Sequence, residues 1–381
     1  MDFDLGDEQR QLGDNLARLM KDRYGFESRK AYAAGPLGFS EEMWAQYAEL
    51  GLLGAPFAEA DGGFGGGAVE TMLIEEAFGR ALALEPYFAT VVLGGGVLRH
   101  GGSAAQREKG ISAIASGETR FALAHAERAS GWNLFDVATS AKKDGASYVL
   151  NGEKGLVLNG DSAHKLIVLA RVSGGRRERA GLGLFLVDAA APGLARRGYA
   201  TQDGRRAAEI TLSDVRVAAE DAVGDPEGGG AIVERVAEDA IAALCAEAAG
   251  AMSEAMETTT EYLKTRKQFG VPIGSFQALQ HRAADMVVAL EQARSMMMFA
   301  TMMTGDANGA ERAKAMSAAK VQIGRSAKFI GQQATQLHGG IAMTYEYKLG
   351  HLFKRMTMID MMFGDADWHL KRLGDADSLF A

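Results

Sequence analysis

Three long apolar-periodic runs close this 381-residue chain, and they constrain its fold more than any other feature. Glu234 to about Gln268, Ser275 to Met303 and Ala310 to Leu337 each repeat apolar residues at helical spacing. The breaks between them are short, with Phe269-Gly270 after the first and Gly339-Gly340 stopping the third. Long helices joined this way run antiparallel, and a four-helix bundle follows if a terminal helix joins them. From about residue 118 to 225 the period is that of strands. "RFALAHA", "VATSAKKDGASYVLNGEKGLVLNG", "KLIVLARV", "GLGLFLVD" and "AAEITLSDVRV" are rich in Val, Ile and Leu. Turn pairs separate them at Asp144-Gly145, Asn151-Gly152, Asn159-Gly160 and Pro192-Gly193.

Residues before this block read mostly as helices. Leu5, Leu12, Leu16 and Leu19 form one stripe, "GGGAVETMLIEEAFGRALA" follows a glycine-rich turn, and "AAQREKGISAIASG" ends at Gly117. The expected fold is α+β in three domains. These are an N-terminal helical domain over 1–117, a middle β-barrel or sandwich over 118–226 and a C-terminal four-helix bundle over 227–381.

Composition narrows the function. Apolar residues are 47% and charged residues 24%, with a net charge of −8. No long basic run is present, so nucleic acid and anionic membrane are poor partners. No apolar run reaches membrane-spanning length. The lone cysteine, Cys245, cannot form an internal disulfide and fits a reducing compartment. The start, "MDFDLGDEQR", is acidic and unlike a signal peptide, so a cytoplasmic location is expected. The sequence has no P-loop, no GxSxG and no HExxH, and one cysteine excludes a Cys-based zinc site. "GGFGGG" at 62–67 does not follow a strand in a βαβ unit and reads as a loop entering a helix. Met296, Met297, Met298, Met302 and Met303 fit core filling at helical spacing better than a ligand groove.

Two stretches concentrate polar groups at helix ends. In "KTRKQFGVPIGSFQALQHRAADM", Arg266 offers a planar fork suited to phosphate oxygens, and Phe269 can cover a ring system. In "QLHGGIAMTYEYKLGHLFKR", Gln336 and the backbone at Gly339 and Gly340 allow close approach of a polar ligand. With the α–β–α order, these stretches resemble the acyl-CoA dehydrogenases over essentially the whole chain. "FALAHAER" and "GEKGLVLNG" are similar to worn versions of that family's middle-domain motifs. The wording is most similar to small subunits such as that of pimeloyl-CoA dehydrogenase, and to subunits from dicarboxylic-acid and steroid side-chain degradation.

The resemblance implies FAD as cofactor, an acyl-CoA substrate and electron-transfer flavoprotein as acceptor. In that family FAD lies between two subunits, with the flavin ring on one and the adenine–pyrophosphate end reaching its neighbour. The residues matching the neighbour's contribution are Arg266, Phe269, Phe276, Gln277, Gln336, Gly339 and Gly340. The half that holds the flavin ring departs from the pattern. Ala126-Glu127-Arg128 stands for the family's Thr-Glu-Pro, and Leu156-Val157-Leu158 for its Trp-x-Thr. Leucine lacks the hydroxyl that threonine offers to the flavin.

The catalytic base departs further. Counting from "QLHGG", the family's C-terminal Glu falls on Phe363 and the following Gly on Gly364. The alternative position on the first long C-terminal helix falls on Ala240. Glu238 and Asp239 adjoin it, but neighbouring helical residues diverge by about 100°. Asp365 is the one displaced candidate base. Asp365, Asp367 and His369 also suggest a metal site on a strand, but "DADWHLKRLG" reads as the start of a helix capped by aspartate, with no metal. Three functions stay open. The first is a subunit of a hetero-oligomer, such as a heterotetramer, in which a larger partner carries the base. The second is a self-sufficient homo-oligomer using Asp365, and the third is an assembly module without flavin.

Overall fold

The computed structural model describes residues 5–376. The chain begins with helices α1 (Asp7–Arg23), α2 (Phe26–Ala34), α3 (Glu41–Glu49), α4 (Ala68–Ala81), α5 (Gly96–Gly101) and α6 (Ala104–Ala115). Seven strands follow: β1 (Phe121–Ala124), β2 (Ser140–Asp144), β3 (Ser147–Leu158), β4 (Lys165–Arg171), β5 (Leu182–Asp188), β6 (Leu194–Ala200) and β7 (Arg206–Ala218). The remainder holds α7 (Gly229–Thr265), α8 (Gln277–Met303), α9 (Gly309–His338), α10 (Lys348–Met361) and α11 (Ala366–Ala376). No helix among the described residues is long and apolar enough to cross a membrane.

Two compact units result. One gathers the chain up to Ala31, Ala68–Ala83 and everything from Ile241 on, so α1 and α4 belong with the C-terminal helices. The other holds Tyr32–Gly67 and Leu84–Ala240, placing α3, α5 and α6 with the sheet.

The sheet runs in the order β1-β4-β2-β3-β7-β6, with β5 on the other edge of β4. β3 and β7 form its longest antiparallel ladder, from Ser147↔Ala218 to Leu158↔Ala207. β1 lies parallel to β4, from Phe121↔Lys165 to Ala124↔Val168. Its apolar face holds Tyr148, Leu150, Leu166, Val168, Phe185 and Ile210 in one buried cluster. The Tyr148 and Phe185 rings meet at 4.9 Å between centroids. Two strands separate β3 from β5 in the sheet order, and neighbouring strands lie about 4.8 Å apart. That contact therefore requires the sheet to curl over its own core.

Two elements escaped the sequence reading for opposite reasons. β6 is nearly all exposed and carries Arg196 and Arg197, so it lacks the apolar alternation that marks a half-buried strand. It is an edge strand, where exposed cations discourage pairing with other chains. Phe88–Gly95 forms a π-helix in which every residue is buried. An element covered on all sides shows no polar face, and periodicity has nothing to detect.

In the helical unit α4 crosses α7 at unusually close range. A Cβ added at Gly79 would overlap the Glu247 carbonyl oxygen, and one at Gly250 would overlap the Glu76 carbonyl oxygen. The two glycines thus let the backbones touch reciprocally. Beside the crossing Met72, Ala246, Ala249 and Met297 form a small core, with Met298 packed against it. Of the methionine cluster, Met297 and Met298 therefore serve as helix-packing filler. Replacing Gly79 or Gly250 with Ala forces the helices apart, at the upper end of the overpacking cost, about 3 kcal/mol. Urea unfolding of each variant measures it, and the double variant should cost less than the sum because both act on one crossing.

Candidate functional site

The end of α7 and the start of α8 are joined by a tight hairpin. Lys267 pairs with Pro272 and Gln268 with Val271. The turn residues Phe269 and Gly270 have φ of 54° and 81°. Both central residues at positive φ make this the twisted two-residue turn that suits a hairpin. The turn holds Phe269 in solvent, 91% exposed. Phe276 stands edge-on to it at 6.2 Å between centroids. Arg266, Gln268 and Gln277 are exposed on the same segment.

The second motif closes α9. Gln336 is exposed, and Gly339 takes φ 65° and ψ −144°, outside the range of side-chain-bearing residues. Gly339 and Gly340 have open space on the side where a Cβ would stand. The two motifs are brought together one turn back from their ends. The Tyr262 and His338 rings stack at 4.4 Å, and the Tyr262 hydroxyl donates to the His338 carbonyl at 3.4 Å. Arg266 is one turn beyond Tyr262, and Gly339 follows His338. Every residue expected from the two motifs thus lies at one end of the helical unit, presenting an exposed aromatic pair, a guanidinium and unhindered backbone. This set suits a ligand with phosphate and flat ring parts.

The middle-sheet residues have a different character. Glu127 sits between strands as a structural acceptor, taking hydrogen bonds from the Ala138 and Thr139 amides at 2.8 and 2.9 Å. Its third donor is Lys154 at 2.7 Å, a side chain with no solvent exposure. Burial pulls the Lys154 ammonium down to about 8, while Glu127 opposes the shift. Gly155 donates to the Ala126 carbonyl at 3.0 Å, which ties the two segments again. Beside them Leu156 has φ 49° at a bulge and is 44% exposed, while Val157 is buried. Lys154 lies inside an apolar strand run, a sequence signal that its charge needs a buried partner. Lys154→Met leaves the Glu127 carboxylate buried without its cation and should cost about 3–5 kcal/mol. Denaturant unfolding tests this, and Lys154→Met with Glu127→Leu should be milder than the single change.

The two positions at which the resemblance leads one to expect a base hold Ala240 and Phe363. Ala240 is fully buried. Asp239 is taken up by the Arg99 guanidinium, by His100 at 2.7 Å and by Arg235 at 2.8 Å, and Glu238 faces Arg235 at 3.3 Å. In the C-terminal turn Phe363 is half-buried with φ 57°, followed by Gly364 with φ 106°. The Asp365 carboxylate accepts the Trp368 amide at 2.8 Å and caps α11. His369 is fully buried. Its Nε2–H donates to the Phe363 carbonyl at 3.0 Å, so Nδ1 accepts from the Ser317 hydroxyl at 3.1 Å. Both ring nitrogens are thereby engaged. Lys320, fully buried, donates to the Ile359 and Asp360 carbonyls at 2.5 and 2.9 Å and fixes where α10 ends.

Three family profiles match the chain. They describe the acyl-CoA dehydrogenase N-terminal domain over residues 6–118, middle domain over 122–215 and C-terminal domain over 228–376. The chain therefore belongs to the acyl-CoA dehydrogenase family. Among its relatives is a probable acyl-CoA dehydrogenase, YngJ of Bacillus subtilis (strain 168), 29% identical with 98% of each chain covered. Among solved structures is a variant of the Tcur3481–Tcur3483 steroid ACAD, 30% identical, covering 98% of each chain at a TM-score of 0.88. An FAD complex of PigA is 25% identical over all of both chains at a TM-score of 0.91.

Burial lowers the His369 imidazole to about 3, with the Lys320 charge adding to the effect. The unfolded chain takes up this proton near pH 6.5, the folded chain only near 3. Between those values the unfolded state holds more protons, so His369 withdraws stability as pH falls, by about 1.4 kcal/mol per pH unit. Urea midpoints should therefore fall more steeply from pH 6.5 to 4.5 in the wild type than in His369→Gln.

Proposed function

We propose that this chain is the flavin-contacting subunit of a hetero-oligomeric acyl-CoA dehydrogenase whose larger partner carries the base. One observation supports the reading: the residues matching the family's donated set are all present and exposed, while Phe363 stands at the position the resemblance gives to the base. Dehydrogenation takes a proton from Cα of the thioester and a hydride from Cβ, and the proton needs a carboxylate close to Cα. Bound FAD supplies the hydride acceptor. In this reading Arg266 would hold the cofactor's phosphate end, and Phe269 and Phe276 would offer faces to its ring parts. Gln336 and the amides of Gly339 and Gly340 close on the remaining polar atoms.

The loss of the flavin-side hydroxyl at Leu158 and the cap role of Asp365 support the same division of labour. A dicarboxylyl-CoA or a steroid side-chain CoA is the proposed substrate. The 30% identity to the steroid acyl-CoA dehydrogenase favours the second. Electron-transfer flavoprotein is the proposed acceptor.

Mixing this chain with its purified partner should give a yellow, active complex that neither subunit forms alone. Arg266→Gln or Phe269→Ala in this chain should lower the flavin content of that complex. Full activity from this chain alone, lost in Asp365→Ala, would instead make it a self-sufficient enzyme. A colourless complex would make it an assembly subunit.

A further inference from the structure

The sheet unit carries a feature that this flavin reading leaves unused. Because β1 and β4 are parallel, the loops that leave them emerge at the same end of the sheet. The first loop spans residues 125–139 and the second residues 172–181. They are laced together by backbone and guanidinium bonds. The Val137 amide donates to the Arg176 carbonyl at 3.1 Å. Arg171 donates to the carbonyls of Phe135 at 2.9 Å, Arg176 at 3.0 Å and Ala180 at 2.6 Å. The loop backbones are therefore held against each other.

The Asp136 side chain, 3% exposed, sits under two guanidiniums. Arg176 and Arg177 both reach it through Nε, Arg177 at 2.8 Å. Nε contact leaves the terminal amino groups of each fork for another acceptor. The two side chains are 49% and 75% exposed. Arg128 is exposed on the first loop, and Arg179, paired with Glu234, lies over the Phe135 ring at 5.8 Å. Two like charges side by side repel, and one buried carboxylate beneath them offsets the repulsion while still leaving an excess positive charge. That excess stands on a chain with a net charge of −8. Paired planar forks fit a phosphate monoester, whose two charges and three terminal oxygens match two guanidiniums better than a diester does.

We propose that Arg176 and Arg177, seated on Asp136, bind the 3′-phosphate of a coenzyme A thioester. The ligand class rests on the acyl-CoA substrate of the proposed function; the anion site rests on the loop geometry. Titration calorimetry of the intact chain with coenzyme A and with 3′-dephospho-coenzyme A tests it. Wild type should bind coenzyme A about tenfold more tightly than the dephospho form. Arg176→Gln with Arg177→Gln should remove that preference and leave affinity for the dephospho form unchanged. Arg177→Gln alone, at the more exposed position, should reduce the preference even if the double variant folds poorly.

Equal affinity of the wild type for the two ligands would overturn the proposal. So would a preference that survives in the variants, or displacement of coenzyme A by inorganic phosphate at equal concentration, which would mark a free-phosphate site. Flavin content of the partner complex is read separately. Its absence would overturn the proposed function without touching the coenzyme A preference.

Discussion

The helical unit depends on the close crossing of α4 over α7. Gly79 and Gly250 bring the two backbones into contact, and Glu247 lies on α7 within that crossing, fully buried. A buried carboxylate must be neutralised by a cation with good geometry. Arg355 of α10 supplies it with two hydrogen bonds, at 2.7 and 2.5 Å. This pins α10 against α7. Lys320 on α9 then catches the last carbonyls of α10, and His369 on α11 holds the Phe363 carbonyl. The conformation of the turn at Phe363 is thus the last link of a chain that starts at two glycines.

The sheet unit follows the same logic on a smaller scale. Lys154 and Glu127 are buried as a pair, and two strand-edge amides complete the carboxylate's shell. The pair fixes the segment after β1 against β3, beside the bulge at Leu156. Side chains at 126, 128, 156 and 158 can change on such a frame without loss of the fold.

The long helices were legible from their apolar period, and β3 and β7 bury alternate residues. β1, β4 and β5 are buried on both faces and were legible as short apolar runs bounded by turn residues. β6 was not, since its two faces are both in water, and the π-helix was not, since it has no face in water. The motif at Arg266 and Phe269 and the motif at Gln336 and Gly339 were each visible as helix ends. Their nearness was not visible, because the stacking of Tyr262 on His338 joins residues 76 positions apart. The Asp365 cap was readable from local pattern, as helix caps depend on the next three residues alone.

The sequence by itself determined the order of helical and strand segments, the identity of the residues at the two motifs and the absence of an acid at 240 and 363. These are properties of residue type and local period. Only the tertiary structure decided which charges are buried together and which lie open. Glu247 with Arg355, Glu127 with Lys154 and Asp136 with Arg176 and Arg177 are pairings between segments distant in the chain. Packing strips water from these carboxylates, and that cost makes a cation partner necessary only once the segments have come together.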